Sequence, residues 1–442
     1  MTRSVRSPHL LGLLVLCLLS SSHSQCLTGN DNPKVMANDT RTQLSGARLN
    51  FGLASLRHLA DIEPEENVFF SPHSLYEALG LAYFGARGHT EASLKMALQV
   101  PDDLSKLDVA RFYAFEKSEE LLRKKESGSD YEYQVANRLF LSGEKKMREC
   151  MFDFFGDELV RTNFKSNPMA AREAINQWVS NVTRNNIRDF LPANAIDEST
   201  DAVIANAVYF KGLWKSRFDP KMTKRDVFHL GDNTMTTTLF MRKKGLYNHL
   251  SSEELGVHIL QLPYKGHGIS MYILLPPFVT TSSQARSADK PKLDAIQQLL
   301  QRISDPSSQN AQELRDILDN GMQSRDVELT IPKFSMEREL PTKELLDAMS
   351  VHGVLDPSAN YTGFTKDGEK GIQLDSALHK AKIELTEGGT TAAAATALFT
   401  FRSSRPTEPA IFNANHPFVY FIYDRSTQAM LFAGIFRKPN KK

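Results

Sequence analysis

Near the C-terminus, Glu387-Gly388-Gly389-Thr390-Thr391-Ala392-Ala393-Ala394-Ala395-Thr396-Ala397 is followed closely by Arg402-Ser403-Ser404-Arg405. Paired glycines leave the backbone free to rotate, and side chains no larger than Ala or Thr enter a packed sheet without displacing its neighbours. An Arg-Ser bond offers a guanidinium to a protease pocket that holds a carboxylate. Together the two segments describe bait joined to a hinge. Taken alone, the four alanines fit a short surface helix equally well, because Ala has the highest helix propensity. The rest of the chain decides between the two.

Patterns for catalysis or cofactor binding are absent from the sequence. It has no Gly-x-Ser-x-Gly elbow, no Gly-Lys-Ser/Thr phosphate loop, no His-Glu-x-x-His and no dinucleotide fingerprint. Scattered Ser, His and Asp carry no information about a triad, and His267 follows Lys265-Gly266 in a turn-like segment where a solvated histidine is the ordinary case. No enzymatic activity, cofactor or metal ion is expected. Arg123-Lys124-Lys125 and Lys145-Lys146-Met147-Arg148 are short basic clusters that usually form solvated helix faces; a polyanion partner would rest on these alone.

The elements that position the bait belong to an ordinary globular chain. It is 41% hydrophobic and 24% charged, and its 53 basic residues balance 52 acidic ones, so no global field favours nucleic acid or an anionic membrane. At the N-terminus, Arg3 and Arg6 precede the apolar run Leu10 to Leu19, and Ser22 and Ser24 supply the small residues that a signal peptidase needs. Residues 1–24 are expected to be a signal peptide, and the protein to be secreted, with a flexible polar arm over 25–43. Cys17 leaves with the leader. Cys26 and Cys150 remain, free to pair with each other, stay reduced or bridge to another chain. Sequons at Asn38, Asn181 and Asn360 fit the same route.

Helical spacing dominates from Leu44 to Arg188, as in Leu49-Leu53-Leu56-Ala60 and Leu75-Ala78-Leu79-Ala82. After Asp201 come strand-like runs at Ala202–Phe210, His258–Leu262, Ile269–Leu275, Val327–Ile331, Ala381–Leu385 and Val419–Tyr423. An α+β architecture follows. Thr280–Gln323, polar around Leu293-Ile296-Leu299-Leu300-Ile303, is expected to be a helix-bearing surface insertion.

Four ordered blocks resemble one family. Asn67-Val68-Phe69-Phe70-Ser71-Pro72-His73-Ser74-Leu75, with Gly85-Ala86-Arg87-Gly88-His89-Thr90 after it, is similar to the signature that opens the serpin core. Asn206-Ala207-Val208-Tyr209-Phe210-Lys211-Gly212-Leu213-Trp214 with Phe228-His229 resembles its central strand and the segment beyond. His379-Lys380-Ala381 leads into the hinge, and Phe412-Asn413-Ala414-Asn415-His416-Pro417-Phe418 closes the pattern. The resemblance covers residues 44–438 as one domain. It implies a serpin fold of three β-sheets with eight or nine helices and an exposed reactive loop over about 387–411.

The resemblance also implies a mechanism, in which a protease cuts the loop and the cut strand inserts into the main sheet. Strand alternation would then turn Thr390, Ala392, Ala394, Thr396 and Leu398 inward. Ser71, Ser74, Asn206 and His379 are implied to gate sheet opening, with Trp214 packed where the loop first enters. Counting Glu387 as first, the family's commonest register puts the cut after the seventeenth residue, Ser403, whereas side-chain chemistry favours Arg402-Ser403 over Ser403-Ser404. The expected partner is a trypsin-like serine protease in an extracellular cascade such as coagulation or immune melanisation, and the protein itself is expected to be a monomer. The alternative is a non-inhibitory carrier or chaperone, against which the small, uncharged hinge argues.

Overall fold

The computed structural model describes residues 26–27, 39–126, 131–231, 234–266, 268–278, 294–389 and 408–439. Four helices and one strand come first: α1 (Thr40–Ile62), β1 (Val68–Phe70), α2 (Pro72–Gly85), α3 (Gly88–Ala97) and α4 (Lys106–Glu126). They are followed by β2 (Tyr131–Ser142), α5 (Glu149–Phe155), β3 (Leu159–Thr162), α6 (Pro168–Val182), β4 (Ala202–Gly212) and β5 (Lys224–Gly231). The chain continues through β6 (Thr234–Ser252), β7 (Val257–Pro263), β8 (Ile269–Leu275), α7 (Ala295–Ile303), α8 (Gln309–Asn320), β9 (Ser324–Pro332) and β10 (Phe334–Glu339). It ends with α9 (Thr342–Ala348), β11 (Ser376–Leu385), β12 (Ala410–Asn413), β13 (Phe418–Asp424) and β14 (Ala429–Phe436). Among the described residues this makes nine α-helices in an α+β fold.

Five strands, in the order β10-β11-β4-β2-β3, form one sheet. The remaining nine share a hydrogen-bonded network whose two lobes meet at β6, a strand long enough to serve both. Its first half pairs with β5 and β9, and β9 with β12; its last residues, Asn248–Ser252, pair with β7, which continues through β8, β13 and β14 to β1. With the lobes counted separately, the three expected sheets are present. Helix α2 packs against β14 on one side and β2 and β4 on the other. It is buried along nearly its whole length, so it is apolar all round rather than on one stripe. Ser71 caps it by accepting the Ser74 N–H, and Pro72 opens it where a missing N–H costs nothing.

Several expectations need correction. The stretch from Leu44 to Arg188 is not uniformly helical, because it contains β1, the twelve residues of β2, and β3. Aromatic and aliphatic positions in Tyr131-Glu-Tyr-Gln-Val alternate with polar ones, the period of a strand rather than a helix. The arm ends earlier than residue 43, since α1 already begins at Thr40. Cys26 and Cys150 form a disulfide, which settles the three alternatives and fastens the start of the arm to α5. The expected insertion is not peripheral over its described part. Ile296, Leu299, Leu300 and Ile303 of α7, with Leu314, Ile317 and Leu318 of α8, enter the main hydrophobic core. Both helices carry full caps, α7 by a reciprocal Asp294/Gln297 box and α8 by Ser308.

One vacancy lies beside α2. A cavity of about 30 Å³ is bounded by Gly80, Phe84, Leu98, Phe112 and the Arg48–Glu116 ion pair, and a Cβ built on Gly80 meets nothing within 4 Å. Gly80→Ala should therefore fill space without strain and remove backbone entropy from the unfolded chain, stabilising the protein by about 1 kcal/mol. Thermal unfolding checks this; an unchanged or lower midpoint would contradict it.

Candidate functional site

Every outer pairing next to the seam of the five-stranded sheet is antiparallel, with β10 on β11 and β2 on β4, but β11 and β4 run parallel. Their register extends from Ser376 opposite Val203 to Ile383 opposite Phe210, and it sets His379 directly beside Asn206. Parallel ladders are slightly weaker per residue than antiparallel ones, and this is the parallel pairing inside the sheet, the other being the short β2–β3 pair at its edge.

Four side chains expected to act together are brought together at the middle of the seam, and Ser71, Ser74, Asn206 and His379 are all 0% exposed. The Ser71 N–H donates to His379 Nε2 at 3.0 Å. That nitrogen therefore carries no proton, and Nδ1–H is left to donate to Asn206 Oδ1 across the seam. Asn206 Nδ2 donates to the Ser74 carbonyl at 3.1 Å and to Ser74 Oγ at 2.6 Å, while Ser71 Oγ donates to the Leu431 carbonyl in β14 at 2.6 Å. The network thus ties β11 to β4, and both to the capped end of α2. Burial pushes the His379 imidazole down to about 3, which keeps it neutral in the tautomer these partners require.

Trp214 does not belong to this group. It lies eight residues farther along the chain from Asn206, roughly 25 Å at strand rise, at the end of the seam where β11 runs into Glu387-Gly388-Gly389. There its N–H donates to the Gly388 carbonyl at 3.1 Å and its indole Nε1–H to the Thr386 carbonyl at 2.9 Å, while its ring stacks on Tyr264 at 4.4 Å. Glu387 is fixed by Thr223 Oγ1 at 2.9 Å and Lys333 Nζ at 2.8 Å. Burial raises this carboxyl, but Lys333, its own backbone N–H and Thr223 outweigh it and leave the group below the ordinary range. Thr386 and Gly389 exchange backbone hydrogen bonds of 3.1 Å, so the chain reverses direction here. Gly389 has φ +91°, and an added Cβ would come within 2.2 Å of the Gly212 carbonyl oxygen; no other residue fits.

Thr390, Ala392, Ala394, Arg402, Ser403, Ser404 and Asn38 lie outside the described residues. Asn181 and Asn360 are exposed, and Asn360 Oδ1 accepts from Thr362 Oγ1 at 2.7 Å. In the second basic cluster, Lys145 pairs with Asp201 at 3.1 Å, Lys146 with Glu369 at 2.8 Å and Arg148 with Asp367 at 2.5 Å. Arg123-Lys124-Lys125 lies in α4. The hinge partners Thr223 and Lys333 gave no sequence signal, because an isolated Thr or Lys belongs to no pattern, and neither did Phe218, whose N–H donates to the Glu387 carbonyl at 2.9 Å.

A family profile described as Serpin (serine protease inhibitor) matches residues 47–439. The chain belongs to the serpin family. Serine protease inhibitor 88Ea of Drosophila melanogaster is 34% identical over 447 residues, covering 98% of this chain and 99% of that protein. Antithrombin-III of Ovis aries is 29% identical, over 96% of this chain and 88% of that one. The structure of Serpin48 from the insect Tenebrio molitor superposes with a TM-score of 0.71 at 23% identity, over 92% of this serpin and 100% of that chain, a likeness of fold. Many serpins inhibit serine proteases.

The buried, neutral His379 makes stability depend on pH. His379 binds a proton near pH 6.5 when unfolded but near 3 when folded, so the unfolded chain holds more protons between these values and the native state weakens as pH falls through that window. His379→Gln should reduce this slope in urea melts between pH 7.5 and 5, with His58, His73, His249 and His416, also lowered by burial, contributing to what remains. An unchanged slope would mean that His379 is not the titrating group.

Proposed function

We propose that this serpin is a secreted suicide-substrate inhibitor of trypsin-like serine proteases, with Arg402 as bait. The observation that carries the proposal is the turn at Thr386–Gly389, set at the end of a parallel seam. A chain that leaves β11 and reverses there runs antiparallel to β11 and, since β4 is parallel to β11, antiparallel to β4 as well. One parallel ladder is thereby exchanged for two antiparallel ones, and the net gain in paired backbone drives insertion.

In the proposed reaction, the protease serine Oγ attacks the Arg402 carbonyl, an ester forms, and the Arg402–Ser403 bond breaks as the Ser403 nitrogen takes the proton. Hydrolysis of that ester then competes with insertion of residues 390 onward into the seam. Insertion carries the attached protease away from its bound position before water can complete the cycle. Small, uncharged side chains from Thr390 to Ala397 favour the faster outcome, because each inward residue must enter the sheet interior during the lifetime of the ester. Secretion is supported by the N-terminal leader pattern and is consistent with the Cys26–Cys150 disulfide, a bond at home in oxidising compartments.

Incubating the mature protein with trypsin should give a complex stable in denaturing gels and release a C-terminal peptide beginning at Ser403. A peptide beginning at Ser404 would move the bait to Ser403, and cleavage without any complex would favour the carrier or chaperone alternative. Thr390→Arg should turn the inhibitor into a substrate, because burying an unpaired guanidinium costs several kcal/mol and slows insertion. Undiminished trapping by that variant would refute the role of the hinge.

A further inference from the structure

Asn137 lies in β2 directly opposite Asn206 of β4, in an antiparallel ladder that runs from Tyr131↔Gly212 to Leu141↔Ala202. Residues directly opposite in such a pair project from the same face with Cβ atoms about 5 Å apart. Asn137 is 7% exposed, and neither its Oδ1 nor its Nδ2 meets a hydrogen-bond partner among the described residues. An Asn with both ends unpaired in a sheet interior costs stability in the native state. Its neighbour is fully engaged: Asn206 Oδ1 accepts from His379, and Nδ2 donates to Ser74.

This accounting changes when the seam is filled, and the inference rests on the insertion mechanism proposed above. A new strand between β4 and β11 moves them from about 4.8 Å to about 9.6 Å apart. The His379–Asn206 bond cannot span that gap, so Asn206 Oδ1 loses its donor. The β2–β4 ladder lies on one side of the inserted strand and stays intact, keeping Asn137 beside Asn206. We propose that Asn137 is the hydrogen-bond partner that Asn206 takes when the sheet expands, its Nδ2 donating to the Oδ1 that His379 has left. Asn137 is thus a positioning residue for the inserted state, unpaired before insertion and donating to Asn206 after it. It adds to the difference in stability between the two folds from both ends.

The test compares uncleaved protein with protein nicked by protease within residues 390–407, in the wild type and in Asn137→Leu and Asn137→Ser. Each variant removes the amide; Leu keeps its bulk, and Ser leaves a smaller side chain should Leu fail to fold. The uncleaved variants should melt at or above the wild-type temperature, while the cleaved variants melt lower than cleaved wild type by about 2 °C, the scale of one lost hydrogen bond in a large domain. More inhibitor per trypsin should also be needed for complete inhibition. Cleaved variants as stable as cleaved wild type, or uncleaved variants destabilised as much as cleaved ones, would overturn the proposal while leaving the inhibitory mechanism standing. A wild type that gains no stability on cleavage would overturn the mechanism and the role of Asn137 with it.

Discussion

The hydrogen bond between His379 and Asn206 closes the seam on which the rest of the structure depends. It joins the two strands that run parallel at the centre of the sheet, and it exists only because other elements put its ends in place. Register sets the two residues side by side, and α2 arrives end-on so that the Ser71 N–H can fix the imidazole tautomer. Helix α2 can hold that position because it is wedged between two sheets and apolar on every side. A small polar cluster is costly to bury unless all its members are satisfied, and these four are satisfied by one another together with the Leu431 carbonyl.

The upper end of the seam follows a different logic. There the chain is held by a stack of backbone and side-chain contacts around Trp214, with Gly389 admitted where no Cβ fits. The turn reverses the chain between Thr386 and Gly389, while the buried cluster joins β11 to β4 at the middle of the seam. Neither feature acts on a substrate. In the proposed mechanism both act on the relative stability of two arrangements of one chain, and a protease would supply the cut that lets the second be reached.

The strands that flank the seam were legible as apolar runs, and β8 has the boundaries its pattern suggested, Ile269 to Leu275. β2 and β6 were not legible. Their surroundings read as helix or as mixed polarity, and β6 serves two lobes with different buried faces, so no single alternation runs along it. Helices α7 and α8 were misplaced for a related reason, since polar flanks disguised an apolar stripe that turns into the core. Among site residues, His379 gained meaning only from the motif around it, because a lone buried histidine is an ordinary core residue. Lys333, Thr223 and Asn137 were invisible. Their significance comes from what the fold sets beside them, Glu387 for the first two and Asn206 for the third, and that is a property of topology and register.

The two fastenings of the seam also differ in charge. The central cluster consists of neutral groups, sealed from solvent, so mobile ions have nothing to screen there. Glu387 and Lys333 at the upper end form an ion pair whose lysine is 36% exposed, and this one loosens as salt is added. Rising ionic strength therefore weakens this one contact, while the neutral bonds around Trp214 and the buried central cluster persist. The balance between the two fastenings is thus set by the solution around them as well as by the sequence.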